Sequence, residues 1–453
     1  MSNLGTRATR RSMIASTGAG GAALVLAACG TPTSSSQPQT QTQQAATIRV
    51  IARTGAEADM WPIRVPQLEQ AHPNIKINLE LIAGTDGGGV QVKTDTFLAA
   101  GEVLDIVHTH FSAAQPQRLY LNKSMRELDS FIAKDKVDLK QWYPQALEAG
   151  RVDGKVIALP FKGKMATVAL HINQSLFEAG GVKLPDLNTT LNDLTDMAVK
   201  LTKPDGSQWG IVGFMPAGAR NITGTFRRWN AELFDKDQKK ATLDSSAASA
   251  AAAWYYDILH RRKAAMFTDD QNLFRQGKAA MLIHRDYNEK TTFFPAAQQQ
   301  GFKYTATLIP KGPSGRRGGV WIPDGMQIGT ASKAPDQAWT TLKWFTDYNT
   351  GLALGLQKSA GVSTTPGARP DVYNDPKFIN HEIYPKVFQE LDRDSNQLPE
   401  NYQGSVPANY KIPEVDAVLT KAMTAVQKGE VEPTPSFMKN LNDEVQNILN
   451  MPR

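Results

Sequence analysis

Strand-like and helix-like segments alternate from residue 47 onward, and this order constrains the fold more than any other feature of the chain. Thr47–Ala52 (TIRVIA) reads as a first strand, ending at Arg53-Thr54-Gly55. Ile75–Ile82 (IKINLELI) alternates apolar and polar residues, the pattern of a half-buried second strand. Between them lies a short helical region, interrupted by Pro62 and Pro66. After the helical TDTFLAAG, the apolar run Leu104–Val107 predicts a third, buried strand. Strands that alternate with helices imply an α/β layer with a largely parallel sheet.

The pattern continues beyond residue 150. Val156–Leu159 and Thr167–Ile172 are strand-like, separated by a joint containing proline and lysine. Leu191, Leu194, Ala198 and Leu201 share one helix face, with Thr190 and Asp193 placed as a capping pair. The alanine-rich run Ala247–Leu259 predicts a helix entered from Asp244-Ser245-Ser246. Pro335 starts another, carrying Ala338, Trp339, Leu342 and Phe345, and two helices near Val415–Val426 and Phe437–Leu449 close the chain. No internal repeat is present.

The N-terminus has a different character. Arg7, Arg10 and Arg11 precede an uncharged stretch from Met13 to Ala28, the pattern of a secretory signal. Its strongly apolar part, Ala22–Ala28, is too short for a spanning helix. Leu26-Ala27-Ala28-Cys29 resembles the lipobox of bacterial lipoproteins, in which cleavage leaves a lipid-modified cysteine as the first residue. Thr9-Arg10-Arg11-Ser12-Met13-Ile14 resembles a twin-arginine export signal. Cys29 is the only cysteine, so an exported domain has to be stable without an internal disulfide. Residues 30–46 are rich in Ser, Thr, Gln and Pro and contain no aromatic residue, a composition expected to form a tether rather than a core. The formal charge of +6 includes the three leader arginines, and no basic block follows them. A nucleic-acid partner is therefore not expected.

Motifs for an enzyme are missing. There is no G-x-S-x-G and no G-x-x-x-x-G-K-[ST], so neither a hydrolase elbow nor ATP hydrolysis is indicated. His381-Glu382 is followed by Pro385 where a zinc helix would have its second histidine. His108 and His110 point to the same side of a strand end, and a polar pair or a ligand contact is a commoner outcome than a metal pair. Gly84–Gly89 (GTDGGG) reads as a loop. No cofactor or metal is expected.

Several segments in order carry a family resemblance: DGKVIALP, HINQSLFEAGGV, LNDLTDMAVKLTK, WNAELFDKDQKKATLDS, LFRQGKAAMLI and LIPKGPSGRRGGVWIPDGMQIGTASKAPDQAWTTLKWFTD. Together they resemble the extracellular solute-binding proteins of ABC importers, of the sugar- and maltose-binding type. That resemblance implies a periplasmic-binding-protein-like II fold: two α/β lobes joined by a hinge that the chain crosses three times. The implied crossings are Pro160–Gly163, Gly319–Gly325 and Gln357–Gly361. The implied divisions are a signal peptide (1–28), a lipidated Cys29 with its tether (29–46), an N-terminal lobe (47–160 plus 325–357) and a C-terminal lobe (161–324 plus 358–453). The prolines of the first helix depart from the family pattern.

The resemblance further implies a ligand cleft lined by strand-end loops. Arg53, Thr54 and Glu57 follow strand one, and Thr109, His110 and Phe111 follow strand three. Phe161, Lys162 and Lys164 sit at the first crossing. Trp229, in RRWNAELF, stands where similar proteins place a cleft aromatic, whereas Trp254, Trp339 and Trp344 lie on helices and are expected in the core. His284, Arg285, Asp286 and Tyr287 follow GKAAMLI, with Arg285 and Tyr287 the expected ligand contacts. Trp321 and Asp324 sit at the second crossing, where Trp321 either stacks on a sugar or packs the joint.

With Arg53, Lys162, Lys164 and Arg285 all facing it, such a cleft would suit an acidic sugar such as a uronate, since guanidinium groups bind carboxylates bidentately. The alternative is a neutral sugar, with these charges paired to Glu57 and Asp286. The expected role is solute capture outside the membrane and delivery to ABC permease subunits, by a lipid-anchored monomer at the outer face of the cytoplasmic membrane. A lipid-anchored carbohydrate-active enzyme and a sensor-type receptor are the alternatives.

Overall fold

The computed structural model describes residues 44–55, 57–83, 88–111, 114–166, 169–213, 218–266, 271–283, 293–358, 365–379 and 409–452. Gln44 to the C-terminus forms one compact unit. Its framework is two five-stranded sheets.

The first sheet contains β1 (Ala46–Arg53), β2 (Ile75–Ile82) and β3 (Ile106–His110), all parallel. After the short hairpin β4 (Arg151–Val152) and β5 (Lys155–Val156) comes β6 (Leu159–Ala166). The second sheet is built from β7 (Ala169–Asn173), β8 (Trp209–Val212), β9 (Ala265–Met266), β10 (Ala279–Ile283) and β11 (Tyr304–Leu308), in the order β11-β7-β10-β8-β9. The chain then returns to the first sheet as β12 (Val320–Ile328), antiparallel between β3 and β6, to give the order β2-β1-β3-β12-β6. Both sheets are mixed: β7 pairs antiparallel with β10 and β11, while β8, β9 and β10 are parallel.

Each sheet has its own apolar core. Ile48, Val50, Ile106, Met326 and Ile328 of the first sheet pack with Trp61, Trp339, Leu342 and Phe345. Leu170, Ile172, Ile211 and Met281 of the second pack with Leu194, Ile222, Tyr255, Leu419 and Val445. The chain passes between the sheets at 166–169 and again at 308–320. The expected boundaries at Pro160/Phe161 and Asp324/Gly325 therefore fall inside paired strands of the first sheet.

Most helices form where the sequence places them. Leu191–Leu201 starts with a reciprocal capping box: Asp193 N–H donates to Thr190 Oγ1 at 3.1 Å, and Thr190 N–H to Asp193 Oδ2 at 2.9 Å. Ser245 caps Ser246–Tyr256, accepting from Ala248 N–H. The closing helices are Ile412–Gln427 and Pro435–Asn450. Trp339 is buried in the first sheet's core with Trp344 packed against it partly exposed, and Trp254 packs, also partly exposed, against the second sheet's core.

Three expectations are corrected. Trp61–Ala71 is one uninterrupted helix despite Pro62 and Pro66. Pro62 lies in the first turn, where a missing N–H costs nothing, and burial of Trp61, Arg64 and Leu68 holds the turn that Pro66 weakens. The joint expected between Leu159 and Thr167 is itself part of strand β6. Lys162 is accommodated in a paired strand because its counter-ions, Glu57 and Asp324, come from distant segments and are buried with it. The third strand also begins two residues later than its apolar run.

The two bodies are joined tightly beside the crossings. Gly163 N–H donates to Pro366 O at 3.2 Å, and the Tyr373 hydroxyl donates to Gly163 O at 2.9 Å. Among the described residues no helix is long and apolar enough to cross a membrane.

Candidate functional site: a buried charge cluster at the strand ends

Parallel strands place their C-terminal ends on one side, so residues distant in sequence meet there. Arg53 is the last residue of β1, and His108 and His110 are the third and last residues of β3. β12, running the other way, brings Asp324 opposite His110, and β6 sets Lys162 opposite Asp324. Glu57 comes from the loop between β1 and the helix Trp61–Ala71.

Asp324 is the hub. Its Oδ2 accepts from Arg53 Nη2 at 2.9 Å and lies 3.3 Å from His108 Nε2 and 3.7 Å from Lys162 Nζ. Its Oδ1 lies 3.5 Å from His110 Nε2. Glu57 accepts from Arg53 Nε at 3.1 Å and from the Lys162 ammonium. All of these side chains are buried except that of His110, which is 22% exposed.

Two carboxylates thus face two permanent or near-permanent cations. Burial alone would raise the Glu57 carboxyl, but the charges of Lys162, Arg53 and His108 outweigh it and hold it below its ordinary value. Asp324 is held well below its own against the same burial, by His110, Arg53, His108 and Lys162. Burial is the main force lowering the Lys162 ammonium, opposed chiefly by Glu57. His110 is lowered to about 4: burial dominates, Asp324 opposes it, and Arg53, Arg220 and His108 add to it.

A β-bulge makes this geometry. Asp324 pairs with Lys162 and Gly325 with Pro160, so Phe161 is the extra residue. Its ring stacks on Trp61 at 5.9 Å and meets His108 edge-on at 5.2 Å. Gly325 has no alternative: a Cβ there would stand 2.3 Å from Phe111 Cζ. Thr109 Oγ1 donates to Gly325 O at 3.2 Å.

Glu57, His108 and Asp324 could offer a metal three donor atoms within 4.8 Å of one another. These residues do not fit a metal. The Lys162 ammonium and the Arg53 guanidinium already neutralise both carboxylates, and a divalent ion would add buried charge without a counter-charge.

Of the residues expected at the cleft, Arg53, Glu57, His110, Lys162 and Asp324 are thus brought together. Thr54 is half-buried beside them, its N–H donating to Ile82 O at 2.9 Å. Lys164 is also half-buried. Phe111 and Phe161 are inside the protein. Trp321 is fully buried, with its ring 4.7 Å from that of Tyr143, so it packs the joint. Trp229 is half-buried against Trp254 at 5.5 Å and Tyr255 at 6.2 Å. His284, Arg285, Asp286 and Tyr287 lie outside the described residues. Sequence spacing marks His108 only as half of a histidine pair and gives no signal for Arg220. No spacing rule connects either to Asp324; the nearest signal is that His108 sits two residues before His110.

Comparison with known proteins agrees with this architecture. Residues 43–348 match the family model described as bacterial extracellular solute-binding protein. A protein of Brucella abortus strain 2308, named as a binding protein, is 25% identical over 295 residues, 60% of this chain and 65% of that one. The match therefore spans just under two thirds of the length of that curated relative. An ABC substrate-binding protein of Listeria monocytogenes in complex with cycloalternan has a TM-score of 0.73 at 18% identity, covering 90% of this chain and all of that one. A maltose-bound protein of T. maritima gives 0.67 at 19% identity, over 89% and 99%. A Mycobacterium tuberculosis protein in complex with glycerophosphocholine gives 0.73 at 16%, over 90% and 99%. Such identities speak to the fold, which is that of periplasmic-binding-protein-like receptors with two α/β lobes. The family-model match covers most of the chain, and this protein belongs to the bacterial extracellular solute-binding protein family.

Proposed function

We propose that this protein is the solute receptor of an ABC importer and that its ligand is an uncharged carbohydrate, held in the cleft between the two sheets. The observation that carries the ligand class is the closed charge balance at Asp324. Arg53 and Lys162 are buried and engaged by Glu57 and Asp324, so they do not form the basic wall that an acidic sugar would require. The pairing supports the neutral-sugar alternative, with Asp324 in the place expected for Asp286. At the surface this wall offers the His110 ring and Thr54, polar groups suited to hydroxyls. Solved structures of similar fold hold cycloalternan and maltose, which agrees with this class.

The lobes divide where the chain leaves the first sheet, at 166–169 and 308–320. The protein binds rather than transforms its solute, acts as a monomer outside the membrane, and is anchored there through a lipid on Cys29. A thermal-shift panel of maltose, trehalose and a cyclic glucan against glucuronate and galacturonate tests the reading. A neutral sugar at 100 times its Kd should add about 2.7 kcal/mol of stability. Stabilisation by the uronates alone would overturn the neutral ligand, and hydrolysis of any sugar would overturn a pure receptor.

A further inference from the structure

We propose that Gly319 is the pivot of the second passage between the bodies, the residue whose torsions change as the cleft opens and closes. The inference rests on the receptor reading above, which requires the cleft to admit a solute, and it assigns that movement to one residue.

The segment that leaves β11 is tied to the second body from its start to Gly319. Ile309 is buried in the second core, and Lys311 bridges to Thr190. Arg317 Nη2 donates to Leu187 O at 2.8 Å. Ser314 N–H donates to Arg228 O at 3.1 Å, and its hydroxyl to the same oxygen at 2.7 Å. Arg228 lies in the turn that follows the helix Ala219–Phe226, whose Ala219, Ile222 and Phe226 are in the second core. Gly318 is pressed against that helix: a Cβ there would stand 2.4 Å from Gly224 O and 3.0 Å from Arg228 Cγ. Gly319 N–H then donates to the same Gly224 O at 2.7 Å.

One residue later the chain belongs to the first sheet, where Val320 and Trp321 pair with Ala166 and Met165 of β6. The backbone is thus anchored to the second body at the Gly319 nitrogen and to the first sheet at Val320, with the φ and ψ of Gly319 between the two anchors. Glycine turns there at least cost, and its φ of 95° is one that L side chains rarely adopt. The Gly319 carbonyl accepts from Arg227 Nη1 at 3.2 Å, and Arg227 Nε is held by Glu232 at 3.0 Å. The tip of a long side chain can follow that carbonyl as it turns, which a fixed backbone donor could not. Val320 stands opposite Ala166, the last residue of β6, so the first passage leaves the sheet at the same level and the two share one axis.

The test needs no solute, so its failure is separate from failure of the sugar panel. In the chain carrying Cys29→Ser, which removes the only cysteine, Val92→Cys and Val199→Cys take a fluorophore pair for single-molecule energy transfer; both positions are exposed and lie on helices of different bodies. Gly319→Ala disfavours the described backbone angle, so the ratio of the transfer-efficiency populations should change about tenfold from that of the otherwise identical Gly319 protein. Gly315→Ala is the control. Gly315 has a φ of 74° in the same segment and open space where a Cβ would stand, but it lies among the second-body anchors. It carries the same kind of strain, so it should lower the melting temperature and leave the populations in place. Unmoved populations in Gly319→Ala, or an equal change in Gly315→Ala, overturn the pivot. Where Gly319→Ala does not fold, Gly319→Asn, better tolerated at positive φ, should move the populations in one direction by less than tenfold, and unmoved populations there overturn the proposal equally.

Discussion

The guanidinium of Arg53 donates to the carboxylate of Asp324 at 2.9 Å, across 271 positions of sequence, with both side chains buried. The contact joins the end of β1 to β12 beside the bulge in β6, and it makes the wall of the proposed cleft a preassembled, charge-balanced surface.

Removing Asp324 should be costly. Asp324→Ala leaves Arg53 with one carboxylate and Lys162 with only Glu57, in a buried place. Breaking a buried pair by removing one partner costs about 3–5 kcal/mol. Urea denaturation should show a lower midpoint with an unchanged slope. A paired Arg53→Met, Asp324→Leu variant should cost at least 1 kcal/mol less than the two single changes summed. Additive costs would show that the contact carries no coupling.

Gly325→Ala should destabilise by about 1–3 kcal/mol, since the new methyl collides with the Phe111 ring and stands 3.0 Å from Leu159 O. Phe111→Leu in the same chain should recover part of the loss, because the ring is the nearer obstacle. Calorimetric melting of the two single variants and the double decides this.

Stability should depend on pH in two stages. His110 has a folded value below its unfolded one, so its contribution is complete above pH 6.5 and is lost as pH falls toward 4, up to about 3 kcal/mol. Glu57 and Asp324 are also depressed, so their contribution is complete above the ordinary carboxylate range and disappears at more acidic pH. Urea midpoints measured from pH 4 to 8 should therefore slope downward below 6.5 in wild type, and His110→Gln should flatten that slope. A wild-type midpoint that does not change between pH 4.5 and 6.5 would refute the assignment.

Cys29→Ser should release or mislocalise the protein without changing sugar binding by the purified chain. Fractionation of cells that leaves the Cys29→Ser protein fully membrane-bound would refute the lipid anchor.

Thr190 and Asp193 lie three residues apart, so their capping box was legible from spacing, as was Ser245 ahead of its alanine-rich helix. Strand β2 was legible from its alternation. Such features depend on neighbours a few residues away. Pro66 within an intact helix was not legible: the burial of Trp61 against Phe161 and Phe345 outweighs a local preference. The packing of the buried Trp321 ring 4.7 Å from that of Tyr143 was not legible either, because Tyr143 comes from a distant segment.

By itself the sequence determined the α/β class, most helices, and most of the residues that gather at the strand ends. Only the tertiary structure decided what those charges do. Arg53, Lys162 and Asp324 each look like a solvent-facing charge in their own segments, and a sequence read alone made two of them ligand cations. Sheet order, a one-residue bulge and a glycine against Phe111 bring them within ion-pair distance. Burial then makes their pairing obligatory, because an unpaired charge in that place would cost far more than the contact returns.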